Sequence, residues 1–206
     1  MSKKIAKLFS ITGLIIVCVF GFSTVTYTDS PNSFTITNNM CPVELQPQQA
    51  LSCPTYDQTT SYTCGPAVVM ELMRYYGKLG SSDMNKNTEM RYANEMGTSK
   101  DSGTSVCSVA TYLSHHGFNV QTGSYVTSDI IISNIKRGVP TLIAIGGHWL
   151  LAKGYDSSGI FFADSCGGTS IIPKDVIDNA WAESHLVTKP HCHSEMGYYI
   201  VATPER

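Results

Sequence analysis

A chain of 206 residues, 42% hydrophobic and 15% charged, is long enough to bury a core of its own. Fourteen Lys and Arg against 16 Asp and Glu give a net charge of −2. No basic run is longer than the pairs Lys3-Lys4 and Lys136-Arg137, so the composition makes no electrostatic case for nucleic-acid binding.

At the N-terminus, Lys3, Lys4 and Lys7 precede an apolar stretch from Leu8 to Phe22, with small residues at Gly21 and Ser23. This is the pattern of a secretory signal peptide over residues 1–23, which implies a secreted or periplasmic protein. The alternative is an uncleaved anchor over residues 5–22, the one route by which a membrane becomes a partner. Residues 24–52 are polar, carry Pro31, Pro42 and Pro47, and read as an extended arm. The domain proper is then 53–206. Six cysteines lie beyond Cys18, a density that suits an oxidising compartment.

The first clear helix begins at Cys64. Pro66 falls in its first turn, where a missing N–H costs nothing. Val68, Val69, Leu72, Met73 and Tyr76 share one face, and Gly77 closes it. Shorter helices are expected over Thr88–Met96, Ser105–His116 and Asp129–Arg137, the last capped by Ser128. Then the pattern changes. Thr141–Ile145, Trp149–Tyr155, Ile160–Ala163 and Tyr198–Thr203 are short apolar runs bounded by Gly, Asp and Ser, which read as strands. Pro173–Glu183 reads as a helix between the last two. Helices first and strands later indicate α+β, and the short turns between strands make the sheet antiparallel.

Four residues stand where acyl-transfer chemistry needs them. Cys64 opens a helix, whose N-terminal partial charge favours the thiolate, the nucleophilic form. His148 follows Gly146-Gly147 at the start of a strand and can act as a general base. Asp164 ends the next strand. A tight antiparallel connection sets it beside His148, where it can orient the ring. Gln58, six residues before Cys64, can donate its side-chain amide to an oxyanion.

The run Gln58-Thr59-Thr60-Ser61-Tyr62-Thr63-Cys64-Gly65-Pro66-Ala67, then His148-Trp149, Gly154-Tyr155-Asp156 and Asp164, resembles the bacteriocin-processing (double-glycine-type) cysteine peptidases, family C39 of the papain-like superfamily. Gly103-Thr104-Ser105 and Gly138-Val139-Pro140 extend the likeness, which covers about 53–203. The resemblance implies a papain-like fold, with the helical part packed on the sheet. It also implies Cys64 as nucleophile, His148 as base, Asp164 as orienter and Gln58 as oxyanion donor. Thr63 and Ser165 depart from the family, which often has Asp before the cysteine and Pro after the aspartate. Members that trim double-glycine leaders are fused to a transporter. This chain shows no transporter segments and no ATPase motif, so a different peptide or protein substrate is expected.

Other features read as structural. His115 and His116 close a helix, an end that suits cations. His191-Cys192-His193, with or without Cys166, matches no standard zinc spacing, so neither a metal nor another cofactor is expected. With Cys64 free, Cys166–Cys192 and Cys41–Cys53 are the expected disulfides, leaving Cys107 as a small apolar residue on a helix. Tyr62 and Trp149 flank the reactive groups, as groove lining or as packing. Three functions fit this pattern. The first is an exported cysteine peptidase acting through a thioester. The second is an acyl transferase or deamidase using the same triad, as in phytochelatin synthase. The third is a non-catalytic binding domain with Cys64 locked away.

Overall fold

The computed structural model describes residues 49–179 and 197–206, together with three short strands nearer the N-terminus. Those strands, β1 (Val17–Cys18), β2 (Phe22–Val25) and β3 (Ile36–Thr37), pair antiparallel in that order within a unit spanning Met1–Leu45. A second compact unit spans Gln46–Arg206. The expectations for Cys41, for residues 180–183 of the last helix, and for His191, Cys192 and His193 lie outside the described residues. No described helix is long and apolar enough to cross a membrane.

Among the described residues, five α-helices precede or interrupt the main run of strands in the second unit. In α1 (Cys64–Tyr75) each of the first ten residues is buried. α2 (Lys86–Glu95) starts two residues earlier than its apolar pattern suggests. Asn85 accepts from the N–H groups of Asn87 and Thr88, a side-chain cap that fixes the start. Ser105 caps α3 (Val106–His115) in the same way. α4 (Ser128–Lys136) is capped by Thr127, one residue before the expected Ser128, whose hydroxyl instead donates to Asp178.

The sheet runs β5-β10-β6-β7-β8-β9, with β4 (Gln49–Ala50) pairing β7 off that path. Its strands are β5 (Phe118–Ser124), β6 (Thr141–Ile145), β7 (His148–Tyr155), β8 (Ile160–Asp164), β9 (Gly168–Ile172) and β10 (Tyr198–Pro204). Every pairing is antiparallel, as expected for the α+β reading. Both terminal strands, β5 and β9, were not foreseen. β5 has apolar residues only at Phe118 and Val120, and β9 exposes every second side chain. Edge strands bury little, so their sequences carry little apolar signal.

The central strands are buried on both faces. Leu142, Ala144, Trp149, Leu151 and Ala163 join a core with α1, α2 and α3. Ile143, Leu150, Ala152 and Phe162 join a second core with Ile131 and Ile135 of α4 and with Ile177 of α5 (Lys174–Asn179). Two-sided burial explains why β6 and β8 read as continuous apolar runs rather than alternating ones. Helices therefore cover both faces of the sheet, α1, α2 and α3 on one and α4 and α5 on the other.

The expected disulfides do not form. Cys53 and Cys166 are free thiols, as is Cys64. Cys53 is 7% exposed inside the first core, where burial pushes its thiol up to about 12. Cys166 sits exposed on the turn between β8 and β9. Among the described cysteines, Cys107, expected as a simple apolar residue, is the one that is disulfide-bonded.

Candidate active site

The segment leading into α1 is drawn onto the domain by buried carboxyl groups. The Tyr56 N–H donates to Glu71 Oε1 at 2.9 Å. Glu89 of α2, fully buried, accepts from the Thr59 N–H at 2.9 Å, the Thr63 hydroxyl at 2.5 Å and the Tyr56 hydroxyl at 3.1 Å. Thr63 occupies the N-cap of α1 but spends its hydroxyl on Glu89, so no side chain caps the helix. No acidic residue stands in the first turn either. The N-terminal partial charge of α1 is therefore left to act on the side chain that opens it, Cys64.

Gly65 is fixed by space. A Cβ there would stand 2.5 Å from the Cβ and Oγ1 of Thr104. Thr104 in turn accepts at its carbonyl from the Trp149 indole N–H at 3.0 Å, which ties the start of α1 to the start of β7.

On the facing side, Gly146 and Gly147 have φ of 58° and 78° and form a two-residue turn between paired Ile145 and His148. A hairpin of that length needs positive φ at both central positions, and glycine supplies it without steric cost. The turn places His148 at the first position of β7. β8 returns antiparallel and ends at Asp164. His148 Nε2 and Asp164 Oδ1 lie 2.9 Å apart. The same carboxyl oxygen accepts the Cys166 N–H at 2.9 Å, which holds it toward the ring.

The imidazole also lies close enough to the Cys64 thiol for each to shift the other's titration. With Nε2 turned to Asp164, Nδ1 is the nitrogen left for sulfur. Burial would push the Cys64 thiol up. The His148 hydrogen bond, the Trp149 and Gly65 N–H groups and the histidine's charge outweigh it, so the thiol lies below its ordinary value. The bond to Cys64 raises His148, burial opposes this, and Asp164 adds to the rise, leaving the imidazole at about 9. Burial also pushes Asp164 up, but the Cys166 N–H and His148 more than offset it, and the carboxyl sits below its usual range. Sulfur, imidazole and carboxyl thus favour their charged forms together, the arrangement that makes a nucleophile.

Gln58 lies on the rim. Its backbone N–H donates to the Ser165 carbonyl at 2.9 Å, and its Oε1 accepts from the Ser165 hydroxyl at 2.7 Å. Its Nε2 donates to the Thr60 carbonyl at 2.5 Å. An amide nitrogen carries two N–H groups, and Thr60 takes one of them.

His115 and His116 stand at the far end of α3, away from this cluster. His116 stacks on Tyr112 at 4.0 Å between centroids, and its Nδ1 lies 2.7 Å from the Tyr112 carbonyl. Sequence reasoning missed Glu71 and Glu89. Each had a signal: a lone acid on the apolar face of its helix, Glu71 between Met70 and Leu72 and Glu89 three residues before Tyr92.

A family model described as the peptidase C39-like family matches residues 50–188, more than half of the chain. No curated protein sequence matches it. Among solved structures, a double-glycine-motif protease from an AMS/PCAT transporter, in complex with its leader peptide, is similar at TM-score 0.55 and 18% identity. That likeness covers 76% of this chain and 94% of the other. The peptidase domain of Streptococcus ComA, a bifunctional ABC transporter of a quorum-sensing pathway, is similar at 0.54 and 17%, over 74% and 99%. A C39-like peptidase from Bacillus anthracis is similar at 0.56 and 12%, over 77% and 99%.

Proposed function

The chain belongs to the peptidase C39-like family of cysteine peptidases, and on that premise we propose that it is an exported enzyme cleaving peptide bonds through Cys64, His148 and Asp164. The Cys64 thiolate attacks the scissile carbonyl. The second N–H of Gln58 and the backbone N–H of Cys64 receive the oxyanion. His148 gives its proton to the departing amine, leaving a thioester on Cys64. Water, deprotonated by His148, then releases the acid and restores the thiolate. Asp164 keeps the ring oriented and supports its charge throughout. What supports this reading most is one imidazole that lies 2.9 Å from Asp164 and that lowers the Cys64 thiol while being raised by it. Export rests on the leader pattern of Lys3, Lys4 and Lys7 before Leu8–Phe22. A peptide substrate suits this site, as a leader peptide suits the transporter protease that resembles it.

The test uses the full chain and an unbiased peptide mixture, read by mass spectrometry. New peptide termini are expected, and Cys64→Ala should slow their appearance by roughly 10⁴-fold or more. Iodoacetamide near pH 6 should label Cys64 ahead of Cys53 and Cys166, because burial lifts the Cys53 thiol, and partial desolvation together with the charges of Asp164, Cys64 and Asp57 lifts that of Cys166. Products that instead carry an added amine mark a transferase. No cleavage together with no preferential labelling of Cys64 removes the enzyme reading.

A further inference from the structure

Beside the nucleophile, on the opposite side of the His148 ring, three different donor atoms converge. His148 Nε2, an Asp164 carboxyl oxygen and Cys166 Sγ all lie within 4.8 Å of one another. We propose that these three residues form a binding site for a thiophilic divalent cation of the zinc class, and that its occupancy switches the peptidase off.

The geometry is close to what such an ion needs. Tetrahedral zinc with bonds of about 2.0–2.3 Å sets its donor atoms roughly 3.3–3.6 Å apart. The nitrogen and oxygen already stand 2.9 Å apart and need to open only slightly. The sulfur must approach, and it is free to do so. Cys166 is an exposed free thiol on a turn, and its own hydrogen bond is a weak one to Gln58 Oε1 at 3.5 Å. The turn is nevertheless pinned where the ion would sit. The Cys166 N–H donates to Asp164 Oδ1 at 2.9 Å and the Gly167 N–H to the Asp164 carbonyl at 3.2 Å. The thiol therefore pivots about a fixed backbone beside the carboxyl. His148 and Asp164 are partly exposed, which leaves a solvent approach and a fourth position for water. A donor set of thiolate, imidazole and carboxylate selects zinc-class ions over magnesium or calcium, which prefer all-oxygen sites.

Binding involves no change of oxidation state. The ion takes a lone pair from Nε2, Sγ and the carboxylate. The Nε2 proton and the Cys166 thiol proton leave to solvent. The cost falls on catalysis: His148 can no longer hold the Nε2 proton that faces Asp164, and the carboxylate is drawn to the metal. The imidazolium that accompanies the Cys64 thiolate cannot form. Inhibition rests on the peptidase reading above; the metal site itself does not.

Two measurements separate these. First, Co²⁺ is titrated into the reduced, metal-free full chain, and the thiolate-to-cobalt absorption band is followed, with Zn²⁺ as competitor. The band should persist in Cys64→Ala, which lacks the other thiol beside the ring, and in Cys192→Ser, which breaks up His191-Cys192-His193. It should vanish in Cys166→Ser, with zinc affinity falling at least tenfold. Second, peptidase activity is measured against buffered Zn²⁺, each protein referred to its own metal-free rate. Cys166→Ser should need at least tenfold more zinc for half inhibition. Equal zinc affinity in wild type and Cys166→Ser overturns the site. So does a band lost in Cys64→Ala or in Cys192→Ser. If no substrate is cleaved, the cobalt titration still decides whether the site exists.

Discussion

On one wall of the site, the approach to Cys64 is held by two buried carboxyl groups, Glu71 and Glu89, each from a helix. On the other wall, His148 and Asp164 ride on adjacent strands joined by a backbone ladder that runs from Leu151↔Ala163 to Tyr155↔Ile160, with a register shift between Ala152 and Gly154. The first wall concentrates its support in a few polar atoms. The second spreads it over many backbone bonds and two apolar cores. A single side-chain change should therefore shift the first wall as a body, whereas on the second it should alter the chemistry and leave the scaffold in place.

The largest expected effect tests the first half of that contrast. Glu89→Ala strands the Thr59 N–H and the hydroxyls of Thr63 and Tyr56 without their buried acceptor. Each donor left without a partner costs about 1–3 kcal/mol; the Thr63 hydroxyl keeps Thr60 as a second partner, so a loss in the lower part of the summed range, roughly 3–5 kcal/mol, is expected. Urea unfolding measures it. Because Thr63 precedes Cys64 and Thr59 follows Gln58, alkylation of Cys64 in the protein that remains folded should also slow. A loss under about 1 kcal/mol would mean the loop is held by something other than Glu89.

The two walls also differ in how well they can be read from sequence. The strand wall was legible: Gly146-Gly147 can scarcely be anything but a two-residue hairpin turn, and β6 to β8 are apolar enough to announce themselves. With the turn fixed, the pairing of His148 with Asp164 follows from antiparallel geometry. The helix that opens at Cys64 was legible through Pro66 and the apolar face behind it. The anchors of the loop were not, because a carboxyl group accepting N–H bonds from residues 15 or 30 positions away leaves no periodic trace. β5 and β9 escaped for the opposite reason, since edge strands bury too little to show a pattern. The cysteine pairings failed because spacing does not encode connectivity. Cys53 went into the core and Cys166 onto a turn.

The next effect is chemical and tests the strand wall. Asp164→Asn keeps an oxygen for the Cys166 N–H but removes the charge beside His148. Loss of kcat/KM should be about 10- to 100-fold, equivalent to roughly 1.4–2.8 kcal/mol, with unfolding free energy changed by less than about 1 kcal/mol. The sign of the pH effect follows from the causes. The thiolate–imidazolium pair exists above the lowered Cys64 value and is lost as pH rises through the His148 value near 9. Removing Asp164 takes away one of the influences that raise His148. The alkaline limb of the pH–rate profile should move to lower pH, measured in chelator-treated buffer. A limb that stays near 9 would assign that limb to another group. A large stability loss would break the contrast itself.

The smallest effect concerns the cost of holding a wall with a buried acid. Glu71 is fully buried, with Oε1 on the Tyr56 N–H and no partner at Oε2. Burial pushes its carboxyl up from 4.5 to about 8, with the Tyr56 N–H, Lys153 and His148 pulling it down and Asp164 pushing it up. Cys53 lies close enough to feel its charge. Below about pH 4.5 both folded and unfolded chains carry the proton. Between 4.5 and 8 the unfolded chain has released it while the folded chain keeps it, so stability falls as pH rises across that window. Glu71→Gln holds the same shape, keeps the acceptor for Tyr56 and never ionises. It should match wild type near pH 4.5 and exceed it by roughly 1–2 kcal/mol at pH 8. Its unpaired NH₂ in place of Oε2 gives back part of the gain. Urea denaturation at the two pH values measures the difference. Parallel pH slopes for the two proteins would mean that Glu71 is already ionised in the fold, and that the helix wall is held by a charge rather than by a neutral acid.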